Sequence, residues 1–366
     1  MSTNNRTGRK RDYVGVLSSV FAIVIGLLVG FVILLICNPS QALPGFVTIL
    51  TGAFTHGLKG VGQVFYYATP IILTGLSVGF AFKTGLFNIG TPGQFIVGAF
   101  AAVYVGIMWT GLGRIQWAVA LLAAILGGAL WGMVPGFLKA CFNVNEVIAS
   151  IMMNYIGMYM VNWIVKSYKP LFNNLRNESR NVAATAQIPK MGMDKLFPES
   201  SVGGGILLAI AAVLIIWVIL NKTTFGYELK AVGFNRDASR YAGINEKRNI
   251  IMSMVIAGAI AGMAGGLLYL AGTGKHIEIK DVLASEGFTG ISVALLGLSH
   301  PIGVLFSGLF IAYLTAGGFY LQLFEFSTEI IDIIVAVIIY FSAFALIVKT
   351  ILTRIRKNRE KGGGQT

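Results

Sequence analysis

The residues able to do chemistry in this chain are mostly neutral hydrogen-bonders set inside apolar runs. Asn88, Thr91 and Gln94 share the stretch 83–94 with Gly85, Gly90, Pro92 and Gly93. That density of glycine and proline forbids a straight helix. An interrupted helix exposes free amide and carbonyl ends that can hold polar ligands. At membrane depth such backbone must be buried or line a wet cavity; a tight polar turn at the surface is the competing reading. Asn154 sits two turns into another apolar run, where it serves either a pore or the contact between helices. Ser77, Thr289 and Ser292 either line a path or bond to their own helix backbone. Thr289-Gly-Ile-Ser-Val293 echoes Thr74-Gly-Leu-Ser-Val78, as two related half-domains would.

The ionisable residues argue against other chemistries. Glu146 opens an apolar run, where a helix dipole favours a carboxylate. Glu286, Glu325, Glu329 and Asp332 fall at run ends, as solvated termini do. His56, His276 and His300 share no metal-ligand spacing. Cys37 and Cys141 form no CxxC pair, and the spans described below put them near opposite faces, so no internal disulfide is expected. The nearest approach to a nucleotide loop is Gly272-Thr-Gly-Lys-His276. Tyr269 stands where the first glycine belongs and His276 where a hydroxyl must hold magnesium, so it is rejected. A membrane enzyme would want a convergent nucleophile, acid and base, and no such set is present. An ion-coupled carrier would want charges deep in its helices, and most runs hold none.

The elements that position these residues are membrane spans. Of 366 residues 55% are hydrophobic and 12% charged, against about 25% charged in soluble domains. Runs near the ~20 residues that cross a bilayer occur at 14–36, 62–82, 92–110, 117–140, 145–165, 204–220, 249–271, 287–299, 302–321 and 329–350. The eighth is short, as a broken or half-spanning helix would be. The first exceeds the ~7–15 apolar residues of a signal peptide and is read as a retained span. Four Gly-x-x-x-Gly pairs, Gly26/Gly30, Gly75/Gly79, Gly128/Gly132 and Gly258/Gly262, suit close packing of helix backbones.

The net charge of +13 follows topology and not nucleic-acid binding. With the N-terminus in the cytoplasm, 18 Lys and Arg fall inside and 10 outside, six of those in the long 166–203 segment. That is the positive-inside pattern. It gives a cytoplasmic basic arm 1–13, one transmembrane domain 14–350, an external loop 166–203, a cytoplasmic loop 221–248 and a cytoplasmic basic tail 351–366. The 221–248 loop still reads as structured. Asn235 suits the N-cap of a short helix 236–242, with Asp237 in its first turn, and Gly243 suits its C-terminal stop. Ala238, Tyr241 and Ala242 share a face that needs a partner or the bilayer surface to cover it.

Glu228-Leu-Lys-Ala-Val-Gly-Phe-Asn-Arg-Asp-Ala-Ser-Arg-Tyr-Ala-Gly-Ile244 resembles the coupling loop of permease subunits in ABC importers for simple sugars, nucleosides and branched-chain amino acids. Asn145-Glu-Val-Ile-Ala-Ser-Ile-Met-Met-Asn-Tyr-Ile156, Gly85-Leu-Phe-Asn-Ile-Gly-Thr-Pro-Gly-Gln94 and Phe288-Thr-Gly-Ile-Ser-Val-Ala-Leu-Leu-Gly297 resemble further signatures of that superfamily, in order over about 60–350. The segment at 145–156 looks most like nucleoside permeases. The resemblance implies an all-α, ten-helix permease of the type II importer kind and no catalysis by this chain. It implies a second permease subunit, homologous or identical, an extracellular substrate-binding protein, and a cytoplasmic ATPase that carries the ATP and magnesium. It places Glu228, Gly233, Asn235, Arg236, Ala238, Tyr241 and Gly243 in the ATPase contact. The membrane would be a prokaryotic cell membrane. A sugar or branched-chain amino acid is the alternative cargo, and an ion-coupled carrier the more distant alternative.

Overall fold

The computed structural model describes residues 13–55 and 57–327, with isolated positions between 333 and 350. Arg6, Arg9, Lys10 and Arg11, the tail 351–366, His56, Glu329, Asp332 and most of the expected tenth span lie outside the described residues. Among the described residues the chain is almost wholly helical. Its helices are α1 (Tyr13–Cys37), α2 (Ala42–Thr55), α3 (Gly57–Lys83), α4 (Thr91–Met108), α5 (Gln116–Phe142), α6 (Glu146–Ser167) and α7 (Met193–Leu196). There follow α8 (Gly205–Lys222), α9 (Thr224–Phe234), α10 (Arg236–Tyr241), α11 (Glu246–Tyr269), α12 (Ser285–Leu296) and α13 (Pro301–Phe319). A two-residue hairpin pair, β1 (Phe172–Asn173) and β2 (Glu178–Ser179), supplies the one sheet among the described residues.

Seven described helices are long and apolar enough to cross a membrane. They are α3, α4, α5, α6, α8, α11 and α13, and each falls on an expected span. The 25-residue α1 falls on the first. The short eighth span is α12, a helix of only 12 residues, about 18 Å long at the helical rise, as a half-spanning helix would be. One element is new. The 14-residue α2 was not expected, because it is too short to register as a span and contains Pro44, Gly45 and Gly52. Pro44 is harmless in a first turn, where its missing N–H has no partner to lose. The small face of α2 lies on α13 and the chain beyond it: Gly52 faces Gly317 and Tyr320, and Gly45 faces Leu321 and Phe326.

Lipid is as apolar as leucine, so helices associate here by close packing. The glycine pairs of α5 and α11 face one another. A Cβ at Gly128 would lie 2.2 Å from the Gly258 carbonyl oxygen, and one at Gly262 would lie 2.3 Å from that of Ala124. The outward face of α5, with Leu122, Leu126 and Leu130 at four-residue spacing, is left exposed, as a lipid-facing stripe should be. The two echoed segments also meet. A Cβ at Gly75 would lie 2.4 Å from Val293 Cγ1, and one at Gly290 2.6 Å from the Thr74 carbonyl carbon. The short α12 therefore runs beside the second half of α3, and its Gly287 abuts Pro92 at the start of α4. The start of α4 is buried in the bundle, and α12 begins beside it with Ser285 exposed.

The connections sort onto two faces. Gly85 touches Gly233, and Gly136 near the end of α5 meets Ile251 and Met254 near the start of α11, so Lys83, the α5–α6 turn and α9–α10 share one face. The chain 109–116, the 168–204 segment and the 270–284 segment share the other, joined by Thr185–Gln116, Ala183–Gly106 and Ser179–Ile277 hydrogen bonds. Replacing Gly258 by leucine should lower stability by roughly 2 kcal/mol or more, because the added side chain meets backbone that cannot move aside. Gly111→Ala, where nothing lies within 4 Å, should be neutral; thermal unfolding of the purified protein in detergent compares the two.

Candidate functional site

The chain turns back into the bundle immediately after α3. Gly85 takes φ +76°, and the Leu86 N–H donates to the Ala81 carbonyl at 2.9 Å, folding the chain against the helix it has just left. Asn88 thereby reaches Ser77, with Nδ2 donating to Oγ at 3.2 Å. Ser77 lies six residues before Lys83, about 9 Å into the bundle along the helix. Both side chains are fully buried. The stretch 83–94 is thus a re-entrant segment at depth and not a surface turn.

Its polar groups are satisfied by one another. Asn88 and Gln94 form a reciprocal amide pair: Asn88 Nδ2 donates to Gln94 Oε1 at 2.8 Å, and Gln94 Nε2 donates to Asn88 Oδ1 at 3.0 Å. The Gly90 N–H donates to Asn88 Oδ1 at 3.2 Å, and Thr91 Oγ1 to the Asn88 carbonyl at 3.1 Å. Ser77 Oγ donates to the Ala257 carbonyl of α11 at 2.7 Å. The first amides of any helix lack partners within it, and Gly90 at the N-cap of α4 has no side chain to help. Asn154 of α6 supplies the cap from outside. Its Oδ1 accepts from the Gly93 N–H at 2.9 Å and its Nδ2 donates to the Ile89 carbonyl at 2.9 Å. Ser77, Asn88, Thr91, Gln94 and Asn154 are therefore one buried cluster. Thr289 and Ser292 stand apart on α12, half-buried, with Thr289 Oγ1 donating to its own helix at Ser285 O, 3.1 Å away.

A cavity of about 440 Å³ opens on the face that carries 168–204. The start of α12 (Ser285, Glu286) and the end of α11 (Tyr269) bound it, with Met158 and Asn162 of α6. Its charges are paired: Lys275 lies 3.6 Å from Glu286, Lys280 lies 2.9 Å from Glu278, and Glu178 lies 3.8 Å from Arg176 on the hairpin outside the cavity. The hydrogen bond and charge of Lys280 hold the Glu278 carboxyl below the usual range. Residue type gave no signal for Tyr269, Asn162 or Glu178 here, because this cavity is assembled from separate stretches of chain. Among the described residues no group of three or more His, Cys, Asp or Glu could hold a metal ion.

On the opposite face three caps follow one another. Thr223 Oγ1 accepts from the Gly226 N–H at 3.0 Å, Asn235 Oδ1 from Ala238 N–H at 2.9 Å, and Asn245 Oδ1 from Arg248 N–H at 3.0 Å. Gly243, at φ +81°, ends the α10 turn. The expected short helix 236–242 is α10; the loop around it also contains the unexpected α9, whose Leu229 and Val232 are buried. Glu228 Oε2 accepts from Asn249 Nδ2 at 3.3 Å, tying α9 to α11. Phe234 and Tyr241 stand 90% and 94% exposed. Arg236 and Ala238 flank them on α10, and Gly233 rests on the backbone of Thr84 and Gly85.

A family model described as branched-chain amino acid transport system / permease component matches residues 60–343. The chain belongs to this family of ABC-importer permeases. It is 38% identical over 339 residues to the guanosine ABC transporter permease protein NupP of Bacillus subtilis, covering 92% of this chain and 96% of that one. It is 34% identical over 359 residues to the nucleoside ABC transporter permease protein NupB of Lactococcus lactis, covering 96% of each. It is 31% identical over 304 residues to the glucose ABC transporter permease protein TsgB13 of Haloferax volcanii, covering 81% of this chain and 78% of that one. No solved structure matches the chain significantly. As an ABC permease the chain is a multi-pass translocation subunit, and the ATPase of such an importer is a separate subunit.

The amide pair gives this permease a measurable dependence. Asn88→Leu keeps the branching at Cγ, with a larger side chain, but orphans the Gln94 amide and the Gly90 N–H, which should cost about 2–3 kcal/mol. Asn88→Leu with Gln94→Leu should cost less than the sum of the two single changes by at least ~1 kcal/mol. Thermal unfolding of the four proteins in detergent measures that coupling.

Proposed function

We propose that this ABC permease carries nucleosides into the cell. The observation that carries the reading is the identity of 38% and 34%, over nearly the whole chain, to permeases named for guanosine and nucleosides. The chemistry agrees with it. Thr289 and Ser292 on the path, and Asn88, Gln94 and Asn154 behind it, are neutral, and the charges of the outer cavity all have partners, so a polar uncharged cargo meets no unmatched ion. Cargo enters by the 440 Å³ cavity and passes along α12 by Thr289 and Ser292. The cluster of Ser77, Asn88, Thr91, Gln94 and Asn154 stands behind that path and holds its broken helices in place. A glucose permease among the relatives favours a neutral sugar as the second reading.

The assembly follows from the same family. The face with α9–α10 is cytoplasmic, and the exposed Phe234 and Tyr241 enter a separate ATPase that binds ATP and magnesium. Residues 166–203 face outside, toward a substrate-binding protein. A second permease subunit covers α6, whose Ile148, Met152, Tyr155, Tyr159 and Trp163 form an exposed stripe at helical spacing. Both chain ends are cytoplasmic, as the basic arm and tail require.

Uptake of radiolabelled uridine, adenosine, ribose and leucine, in cells with and without this chain, tests the cargo. Nucleoside uptake should fall when the chain is removed; loss of ribose or leucine uptake alone would overturn the cargo and leave the permease. Sidedness is tested in a background with the exposed Cys37 and Cys141 replaced by serine. Leu175→Cys should react with an impermeant thiol reagent in intact cells, and Tyr241→Cys only after permeabilisation. Ala238→Glu puts an unpaired charge into the ATPase contact and should lower both ATPase co-purification and uptake at least tenfold, in line with ~1.4 kcal/mol per tenfold. Unchanged co-purification would remove α10 from that contact.

A further inference from the structure

The β1–β2 hairpin is an ordered finger. Phe172 pairs with Ser179 and Asn173 with Glu178. Asn173 Oδ1 accepts from the Leu175 N–H at 3.2 Å, and the Asn177 N–H donates to the Asn173 carbonyl at 3.0 Å. A third segment braces it. The Ile279 N–H donates to the Asn177 carbonyl at 3.1 Å, Asn177 Nδ2 to the Ile279 carbonyl at 3.2 Å, and the Ser179 N–H to the Ile277 carbonyl at 2.9 Å. At the tip Leu175 is 95% exposed and Arg176 73%.

Lipid does not explain that leucine. Its neighbours Asn173, Asn174, Arg176 and Asn177 keep the tip in water, and one leucine among them is no membrane anchor. Folding does not explain it either, since the side chain buries almost nothing. Around it the surface is basic: Lys166, Lys169, Arg176 and Arg180 are exposed, and Glu178 is the one carboxylate in 166–180. Glu178, only 13% exposed, lines the outer cavity and lies 3.8 Å from Arg176 Nη1, so it offsets one of these four cations and leaves the rim basic. A rigid apolar tip within a cationic rim has the anatomy of a recognition site: an anchor that fills a pocket, and charges that set partner and orientation.

We infer that the hairpin tip docks the soluble substrate-binding protein of this importer, with Leu175 in an apolar socket and Arg176 against carboxylates at its edge. This rests on the reading that 166–203 faces outside and that the importer uses such a receptor. The position suits delivery. Glu278 of the bracing segment and Glu178 of β2 line the outer cavity, so a receptor held on the tip stands beside the opening through which cargo enters.

The test uses the assembled importer in proteoliposomes of zwitterionic lipid, with the substrate-binding protein that restores uptake to it added at graded concentration. Leu175→Asp and Arg176→Glu should each raise the half-saturating receptor concentration about tenfold. Uptake at saturating receptor and receptor-free ATP hydrolysis should be unchanged. Added salt should weaken the wild type more than Arg176→Glu, whose attraction is already lost. Unchanged receptor curves for both variants, with a wild type that responds, would overturn the proposal alone. A difference seen only in anionic vesicles would overturn it in favour of lipid headgroups. A wild type that no receptor stimulates would overturn the importer reading and the proposal with it.

Discussion

Every backbone amide and carbonyl inside a bilayer has to find its partner within the protein, and this permease begins α4 in the buried interior of its bundle. A helix start leaves amides without internal partners. At α4 the deficit is met by side chains from elsewhere: Asn88 on the re-entrant segment, and Asn154 on α6. An unsatisfied buried group costs about 1–3 kcal/mol, with no water nearby to soften the loss. So the two asparagines are held in place by the backbone they serve, and Gln94 by its amide pair with Asn88. Their carboxamides fit because each both donates and accepts without bringing charge into the membrane.

The same absence of water sets the packing. Without a hydrophobic drive between helices, contact must be close to count, and α5 and α11 approach until backbone meets backbone at Gly128 and Gly258. The broken elements lean on that rigid pair through Ser77 and its bond to the Ala257 carbonyl of α11. The echoed Thr-Gly-x-Ser-Val segments lie against each other, so their similarity has a contact to go with it. Hydrogen bonds thus fix where helices may break, and glycine contacts fix what they break against.

Much of this was legible from residue order. Crossing length is imposed by the bilayer, so the seven described spans could be read from apolar runs alone. Capping is local, so Asn235 and Gly243 announced α10. What escaped was short or non-local. The 14 residues of α2 are below crossing length, and α9 is too polar to resemble a span. Asn88, Gln94 and Asn154 were conspicuous by type, but nothing in the sequence said that the chain doubles back to bring them together. The outer cavity draws on α4, α6, α11, α12 and two loops, and only folding makes neighbours of them.

The meeting of α9 with the re-entrant segment has a mechanical character of its own. Gly233 and Gly85 touch backbone to backbone; a Cβ on Gly85 would come within 2.4 Å of the Gly233 Cα. No side chain interlocks there. Atoms in such contact resist being pressed together, because repulsion rises steeply, but only weak dispersion opposes their separation. The joint itself resists compression and almost no tension; what keeps α9 seated against it is the burial of Leu229 and Val232 and the Glu228–Asn249 hydrogen bond. It has the form of a thrust bearing, stiff only toward the segment that leads to Asn88.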